Sequence, residues 1–291
     1  MPHIIAESEL ILNQDGSVYH LNILPEDLAE TVILVGDPGR VPGVSRYFDQ
    51  VDIRKEKREF VTHTGYLNNQ RLSVISTGIG TDNIDIVLNE LDALVNIDFK
   101  TRQIKDRLSS LRLVRLGTAG ALQEDIALDS FVVSSHGLGF DCLMSFYDLP
   151  PTDEETKLLN AAIDHFSPIT PFYITAGDTA LIDAFSPYCE AGITATCAGF
   201  YGPQGRVLRG PTKEKNFIEK MHSFHADGHR ITNFEMETSG IYGMSRLLGH
   251  HCCSLNTIVA NRITQKFSTD PYAAINRMIL MALPVLTGES V

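Results

Sequence analysis

Residues 72–80 have the sequence LSVISTGIG, in which a short apolar run passes into a glycine-rich turn. The first five of these residues predict a buried strand, because the run is short and a turn signal follows it at once. Apolar side chains then recur on one face of a helix, at Ile84, Val87, Leu88, Leu91, Leu94 and Val95. A strand, a turn and a helix in this order predict one unit of a layered α/β domain.

Further short apolar runs alternate with helical patterns, at 32–35, 111–116, 131–134, 172–175 and 254–260. This alternation predicts a largely parallel or mixed sheet with helices on its flanks. No internal repeat or Pro/Ser-rich linker divides the sequence, so we expect one domain over residues 1–291. A helix over 273–286 should pack on this body, and the charged segment 99–112 is predicted to extend a helix into solvent.

Composition narrows the classes of partner. The 291 residues carry a formal net charge of -12 and are 43% hydrophobic, which disfavours nucleic acid and anionic membranes because both need a basic surface. No apolar run reaches the length of a membrane span and the start of the chain lacks a secretory pattern, so a cytoplasmic protein is expected. The five cysteines lack CxxC spacing, and the sequence HHCC at 250–253 lacks the second ligand cluster of a zinc site.

Two glutamates lie where an apolar strand gives way to a helix, in the sequence NFEME at 233–237. Because side chains alternate along a strand, Glu235 and Glu237 should share one face. Two buried carboxylates are unfavourable unless donors meet them, and the adjacent hydroxyls of a ribose are such donors. A glutamate in the first turn of a helix also suits the helix dipole, and this segment alone leaves both interpretations open.

Two strand ends place an arginine beside glycines, a pattern that suits an anion. The sequence GDPGRV at 36–41 combines free backbone N–H groups with Arg40, although it would also form an ordinary turn. The sequence RLGTAG at 115–120 puts Arg115 inside an apolar run, where it needs either an anion or an internal carboxylate. Thr118 and the two glycines favour the anion. The turn GIG at 78–80 lacks the third glycine of a dinucleotide site.

Seven motifs together resemble those of the uridine phosphorylases, in the order found in that family. They are GDPGRV at 36–41, REF at 58–60, STGIG at 76–80, RLGT at 115–118, FYGPQGR at 200–206, NFEME at 233–237 and NR at 261–262. Their joint occurrence is more specific than any single motif. The resemblance, which covers roughly residues 18–281, implies a single-domain three-layer α/β/α sandwich with a mixed, partly barrel-like central sheet.

The resemblance also implies residues for phosphate and ribose. The phosphate-binding residues would be Gly36, Arg40, Arg58, Arg115 and Thr118, with Arg58 supplied by a neighbouring subunit. The ribose-binding residues would be His20, Met236 and Glu237, with His20 supplied by that subunit. A homodimer is therefore the minimal active unit that the resemblance implies, and the sequence does not choose between a dimer and a hexamer built from such dimers.

For the base, the resemblance implies a pocket formed by Phe200, Gln204, Arg206, Glu235, Val259 and Arg262. The Gln204 amide suits the N3–H and O2 of uracil, and the Arg206 guanidinium suits O4. The implied reaction is phosphorolysis of uridine to uracil and ribose 1-phosphate, a pentosyl transfer in nucleoside salvage. Arg206, Gln204, Glu237 and Arg115 would be the catalytic residues, phosphate a co-substrate, and no cofactor is expected.

Three alternatives stay open beside this reading of the motifs. A purine nucleoside phosphorylase typically has Ser-Asp where this chain has Asn261-Arg262, and a nucleosidase of the same fold would not need three phosphate arginines. A non-catalytic nucleoside-binding protein should have lost part of the phosphate set. Two departures from the family pattern are Ala119 in place of a second threonine and Asn83 in place of a serine of a monovalent-cation site, which leaves such a site open.

Overall fold

A large mixed sheet organises the computed structural model, which describes residues 3–169 and 172–289. The strands within the described residues are β1 (Thr31–Val35), β2 (Gln50–Lys57), β3 (Phe60–Leu67), β4 (Gln70–Ser76), β5 (Ile97–Asp98), β6 (Gln103–Ile104), β7 (Arg112–Ala121), β8 (Phe131–Gly139), β9 (Tyr173–Ala176), β10 (Glu190–Thr196), β11 (His225–Ala226), β12 (His229–Glu235), β13 (His251–Asn261) and β14 (Lys266–Phe267).

Helices cover this sheet. The α-helices of the described residues are α1 (Arg40–Ser45), α2 (Thr81–Asn96), α3 (Asp153–Phe166), α4 (Thr179–Phe185), α5 (Phe217–Ser223), α6 (Thr238–Leu248) and α7 (Pro271–Thr287). Short 3₁₀ helices span Pro25–Asp27, Leu143–Phe146, Ser186–Tyr188 and Gly202–Gln204. None of the helices in the described part of the chain combines the length and apolar character needed to cross a membrane.

Part of the sheet closes into a ring. Strands β12, β10, β8, β13 and β7 are neighbours in that order, and β7 pairs back with β12 through Gly120 opposite Phe234 and Ala121 opposite Asn233. From β7 the sheet continues outward through β1, β4, β3 and β2. Parallel and antiparallel pairs both occur, as between β7 and β13 and between β8 and β13. The predicted mixed, partly barrel-like sheet is therefore confirmed.

The central strands of the sheet are buried on both faces, as expected for parallel strands between helices. Along β1, Val32 and Leu34 pack into an apolar cluster with α2 and α6. Ile33 and Val35 point to the opposite face and pack into a second cluster with α1 and α7. This alternation explains why the run at 32–35 is apolar at every position rather than at every second one.

Several strands extend beyond the apolar runs that predicted them. Strand β7 continues from the run at 111–116 to Ala121, and β8 continues from 131–134 to Gly139. The added residues of β7, at 117–121, are small because they border a cavity and pair with β12 to close the ring. Apolar periodicity therefore marks the packed part of a strand, while backbone pairing carries the strand further.

The predicted terminal helix is confirmed as α7, which begins at Pro271 rather than 273. The Asp270 side chain caps it by accepting a hydrogen bond from the N–H of Ala273 at 3.0 Å, and Gly288 follows its end with a φ of 78°. Such a cap satisfies N–H groups that the first turn of a helix leaves free. A proline at the first helical position has the right φ without losing a hydrogen bond.

The prediction of a solvated helix extension over 99–112 is wrong. Helix α2 ends at Asn96, and β5 and β6 form a small hairpin instead. The physical reason is visible at Arg102, whose guanidinium donates to the backbone carbonyls of Ile5 at 2.8 Å, of Ala6 at 3.0 Å and of Leu10. The charge is thus used to hold the N-terminal segment against the hairpin.

Candidate active site

The carboxyl ends of β1, β4 and β7 and the last residues of β12 and β13 surround a cavity of about 670 Å³. This position agrees with the rule that ligands of open α/β sheets bind beyond the carboxyl ends of the strands. The size is within the range of small-molecule sites. Predicted site residues in its lining are Gly36, Arg40, Arg115, Thr118, Phe200, Gln204, Arg206, Glu235, Met236, Glu237 and Val259.

Two guanidinium groups lie at one end of the cavity. Arg40 is the first residue of α1 and donates to the carbonyl oxygen of Leu116 at 2.9 Å, which ties it to β7. Burial and then the positive charge of Arg115 lower the pKa of Arg40. Two cations held this close favour a bound anion, because an anion between them removes their mutual repulsion.

Arg115 is 4% exposed and is bound on two sides. Its Nη2 lies 2.5 Å from Oε2 of Glu237 and 3.0 Å from Oε2 of Glu235, and its Nη1 donates to Oδ1 of Asn256 at 2.7 Å. Burial alone would lower the pKa of Arg115, but the two glutamates more than offset this and raise it. The internal carboxylate that the sequence left as an alternative is present, and Arg115 also lines the cavity.

The two glutamates share a face, as the strand pattern predicts, but their carboxylates have different hydrogen-bond partners. Glu235 accepts hydrogen bonds from the N–H groups of Glu237 at 2.9 Å and Thr238 at 3.0 Å and from the hydroxyl of Thr196 at 2.8 Å. It therefore holds the first turn of α6. Burial raises the pKa of Glu235, Arg115 opposes this, and Glu237 adds to it.

Glu237 also lines the cavity, and its carboxylate is held from two directions. Its Oε1 accepts from the N–H of Gly80 at 2.8 Å, and its Oε2 faces Arg115. These two contacts fix the side chain from opposite directions. Such a carboxylate can accept a further hydrogen bond from a hydroxyl without losing additional conformational entropy.

A second polar group lines the cavity from the loop after β10. Gln204 is 2% exposed, and its Oε1 accepts a hydrogen bond from Nη1 of Arg206. The Arg206 guanidinium lies 3.8 Å from the centre of the Phe200 ring and donates to the Phe200 carbonyl at 2.6 Å. Burial and the nearby charge of Arg262 lower the pKa of Arg206. The aromatic ring, amide and guanidinium together suit a flat, polar heterocycle.

Three predicted site residues are not part of the cavity lining that the described residues form. Arg262 donates to the carbonyl of Gln204 at 3.0 Å, so it supports the loop after β10. His20 pairs through Nδ1 with Oε1 of Glu90 at 2.7 Å. Exposed Arg58 lies 6.0 Å from the Tyr19 ring, which in turn contacts the ring of His20. Arg58 and His20 therefore form one patch outside their own chain's cavity.

Sequence reasoning missed several residues of the cavity region. Asn256, the partner of Arg115, lies in the apolar run at 254–260. An amide within a strand predicted to be buried was the signal that could have identified it. Glu59 and Phe267 line the cavity without having been singled out. Phe267 lies on β14, a strand of two residues that no periodicity could predict.

The described side chains offer no evident metal site. Among residues 3–169 and 172–289 there is no group of three or more His, Cys, Asp or Glu side chains that could hold a metal ion. The expectation that no cofactor is required stays a prediction. The same holds for a monovalent cation near Asn83, which borders the cavity beside Glu59.

Comparison with known proteins gives consistent matches over most of the chain. The model of the phosphorylase superfamily matches residues 30–277. A uridine phosphorylase of Thermococcus kodakarensis is 27% identical over 257 residues, which are 87% of this chain and 81% of the relative. A DeoD-type purine nucleoside phosphorylase of Buchnera aphidicola is 25% identical over 271 residues, with 92% and 98% coverage.

The fold has a counterpart among solved structures. A nucleoside phosphorylase of Trypanosoma brucei, described as showing uridine phosphorylase activity, superposes with a TM-score of 0.88 at 27% identity. The match covers 96% of this chain and 100% of that chain. Sequence and structure therefore point to the same group of proteins.

Proposed function

This chain belongs to the phosphorylase superfamily, and we propose that within it the chain catalyses the reversible phosphorolysis of uridine to uracil and ribose 1-phosphate. The observation that carries the proposal is that one cavity is lined by two arginines, by a carboxylate held in place by Arg115 and Gly80, and by a hydrogen-bonded polar pair on the loop after β10. These three groups are Arg40 with Arg115, Glu237, and Gln204 with Arg206. They suit a phosphate, a ribose and a pyrimidine, respectively.

The two arginines would hold the nucleophile. An oxygen of phosphate attacks C1′ of the nucleoside, the C1′–N1 bond breaks, and its electron pair leaves with the base. Arg40 and Arg115 aim the phosphate, with the N–H groups near Gly36 and the hydroxyl of Thr118 as further donors. The protein supplies position and charge, and the reaction requires no covalent intermediate.

The carboxylate would hold the sugar. As the glycosidic bond lengthens, positive charge develops on the ribose ring. Glu237 accepts a ribose hydroxyl and presents negative charge to that ring, while Gly80 and Arg115 keep the carboxylate in place. Met236 borders the same part of the cavity and packs on the apolar side of the sugar.

The polar pair would stabilise the leaving base. Negative charge develops on uracil as its bond to C1′ breaks, and the guanidinium of Arg206 is positioned to receive it at O4. The Gln204 amide pairs with the N3–H and O2 edge, and Phe200 covers the ring. Because Arg206 and Gln204 are hydrogen-bonded to each other, the pair is already ordered before the nucleoside binds.

The choice of a pyrimidine over a purine rests on residues 261 and 262, because the relatives include enzymes of both kinds. Purine enzymes typically place an Asp there to protonate the base. In this chain Asn261 is fully engaged: its Nδ2 donates to the carbonyls of Gln123 and Ile126, and its Oδ1 accepts from the N–H of Ile263 and Thr264. Asn261 thus builds the turn after β13. The Asp of the purine enzymes would lie at position 262, where this chain has Arg262. Arg262 donates to the carbonyl of Gln204 at 3.0 Å and cannot act as the acid, and this favours the pyrimidine.

The direct experiment incubates the protein with uridine and, separately, with inosine, each with and without phosphate, and follows release of the free base. We expect uracil only when phosphate is present, and little hypoxanthine. Release of uracil without phosphate would show a nucleosidase, and a preference for inosine would show a purine enzyme. The reaction would then be a step of nucleoside salvage in the cytoplasm.

Arg206→Ala should reduce kcat/KM for uridine about ten- to hundredfold, the value of a hydrogen bond to a charged group. The KM for phosphate should change little, because Arg206 is not among the residues proposed to bind phosphate. Steady-state kinetics with each substrate varied in turn separates the two. A matched rise in both KM values would place Arg206 in a general structural role instead.

The patch of His20 and Arg58 supports a homodimer in which each subunit completes the other's site. We expect Arg58→Ala and Arg206→Ala subunits, each poorly active alone, to regain activity when unfolded and refolded together. A mixed dimer contains one site with Arg206 intact and Arg58 supplied across the interface, so random pairing restores about a quarter of the sites. If Arg58 instead serves its own chain, mixing restores nothing.

A further inference from the structure

The closed ring of five strands encloses a layer of polar side chains. Each strand of the ring contributes one member: Arg115 from β7, Asn256 from β13, Ser134 from β8, Thr194 from β10 and Asn233 from β12. Apart from Arg115, each of these side chains is fully buried. Polar groups this deep are unfavourable unless they satisfy one another.

Most of these polar atoms do so through a chain of hydrogen bonds, whereas Nδ2 of Asn233 has no hydrogen-bond partner among the described residues. Nη1 of Arg115 donates to Oδ1 of Asn256 at 2.7 Å, and Nδ2 of Asn256 donates to the hydroxyl of Ser134 at 3.4 Å. The hydroxyls of Ser134 and Thr194 are 2.5 Å apart, and Thr194 donates to Oδ1 of Asn233 at 3.0 Å. Because Arg115 has donors alone to offer, the amide oxygen of Asn256 must face it.

This series of hydrogen bonds holds the edge of the Arg115 guanidinium that the glutamates do not contact. Both Glu235 and Glu237 face Nη2, so they fix one edge of the guanidinium. Asn256 binds Nη1 and so fixes the rotation of the group about that edge. The second N–H of Nη1 is then left as an oriented donor for an anion in the cavity.

The acceptor is an amide and not a third carboxylate, and this has a chemical consequence. Glu235 and Glu237 already place two carboxylates beside one guanidinium. Another carboxylate would compete with an incoming anion for the same positive charge, whereas an amide orients Arg115 without adding charge. The polar layer is thus suited to positioning Arg115 while leaving its charge available.

We propose that Asn256 is a positioning residue that orients Arg115 for phosphate and so sets the affinity of the site for its anionic substrate. The inference rests on the proposed function, in which phosphate is the nucleophile at Arg115. Asn256 does not line the cavity as the described residues define it, so it acts through Arg115. Ser134 and Thr194 orient Asn256 in turn.

The test is Asn256→Leu, which keeps a similar volume and removes the amide, with Asn256→Ala as a second variant in case leucine does not fit. We expect the KM for phosphate to rise about ten- to hundredfold, the value of one hydrogen bond to a charged group. The KM for uridine and kcat at saturating phosphate should change by much less. A residue that only stabilised the fold would lower the amount of active protein and leave the KM for phosphate unchanged.

Thr257→Val is the matched control. Thr257 is the next residue of β13, is equally buried, and its hydroxyl contacts the sulfur of Met278 on the other face of the sheet. Its loss should affect thermal unfolding without changing the KM for phosphate. An equal rise of that KM in Thr257→Val and Asn256→Leu, or no rise in either Asn256 variant, overturns the inference.

Calorimetric titration with inorganic phosphate separates this inference from the proposed function. If wild-type protein releases uracil with phosphate but the Asn256 variants bind phosphate as well as wild type does, the inference alone falls. If wild-type protein binds phosphate without cleaving uridine, the proposed function falls, and weaker binding by Asn256→Leu still supports the inference. Wild-type protein that binds no phosphate overturns both.

Discussion

Arg115→Met is expected to lower the free energy of unfolding by about 3–5 kcal/mol, the typical result of removing one partner from a buried ionic group. Methionine keeps much of the arginine stem, so the main change is the loss of the guanidinium. Glu235 and Glu237 then stay buried without the cation that both contact. Phosphorolysis should fall about a thousandfold, because the same guanidinium is proposed to bind phosphate.

The loss of stability in Arg115→Met should depend on pH in a defined direction. Burial already raises the pKa of Glu235 above its ordinary value of 4.5, and Arg115 opposes that rise. Without Arg115 the pKa of Glu235 rises further, so the folded state binds its proton more tightly than the unfolded state does. Stability then decreases as pH rises above the unfolded value. The variant should therefore be least destabilised near about pH 5 and most destabilised near neutrality.

Urea unfolding of wild type and variant at several pH values measures this difference. Arg230→Met is the control, because Arg230 makes a bidentate pair with Asp125 at 3.1 and 2.7 Å on the exposed side of β12. An exposed pair contributes about 1 kcal/mol or less. If Arg115→Met lowers the free energy of unfolding no more than Arg230→Met does, or if its stability increases as pH rises, then Arg115 does not hold the buried carboxylates in the way described.

The packed part of the fold could be predicted from the sequence because its signals are local. The run at 32–35 is apolar at every position, which marks a strand buried on both faces, and the stripe from Ile84 to Val95 marks the inner face of α2. Ring closure could not be predicted in this way. It depends on Gly120 pairing with Phe234, more than a hundred residues away, and no local pattern identifies that partner.

The segment at 99–112 shows the opposite failure. Its charges suggested a helix exposed to water, because charge patterns alone do not reveal which groups the charges bind. Arg102 binds backbone carbonyls of the N-terminal segment, a contact between positions about ninety residues apart. A long-range partner of this kind decides the local structure and leaves no periodic trace.

For the site, motifs identified the residues of the cavity but not their contacts. The sequence predicted that Arg115 binds an anion, and in the structure Arg115 also contacts two glutamates and an amide. Glu235, which was expected at the base, lines the cavity, and its carboxylate also accepts hydrogen bonds from N–H groups at the start of α6. Both differences have one cause: a buried charge must be satisfied within the protein even where it also faces a ligand.

Gly117→Ala should reduce kcat/KM for phosphate about a hundredfold, because the Arg115 guanidinium occupies the space that a side chain at position 117 would fill. A Cβ atom at 117 would be 1.8 Å from Nη1 and 2.4 Å from Cζ of Arg115, whereas ordinary contacts begin near 3.4 Å. The guanidinium must therefore shift by more than 1 Å, a displacement that can cost about a hundredfold in rate. The shifted guanidinium would also lose its contacts with Asn256 and with the two glutamates.

The stability of Gly117→Ala should fall by about 1–3 kcal/mol, the usual effect of overpacking a buried site. Gly210→Ala is the matched control, since a Cβ at that exposed loop position meets nothing within 4 Å. It should leave both kinetics and unfolding close to wild type. Kinetics with phosphate varied, together with thermal unfolding of both variants, measures the two effects. Wild-type affinity for phosphate in Gly117→Ala would mean that Arg115 binds the anion from another position, and the geometry proposed for the site would then be wrong.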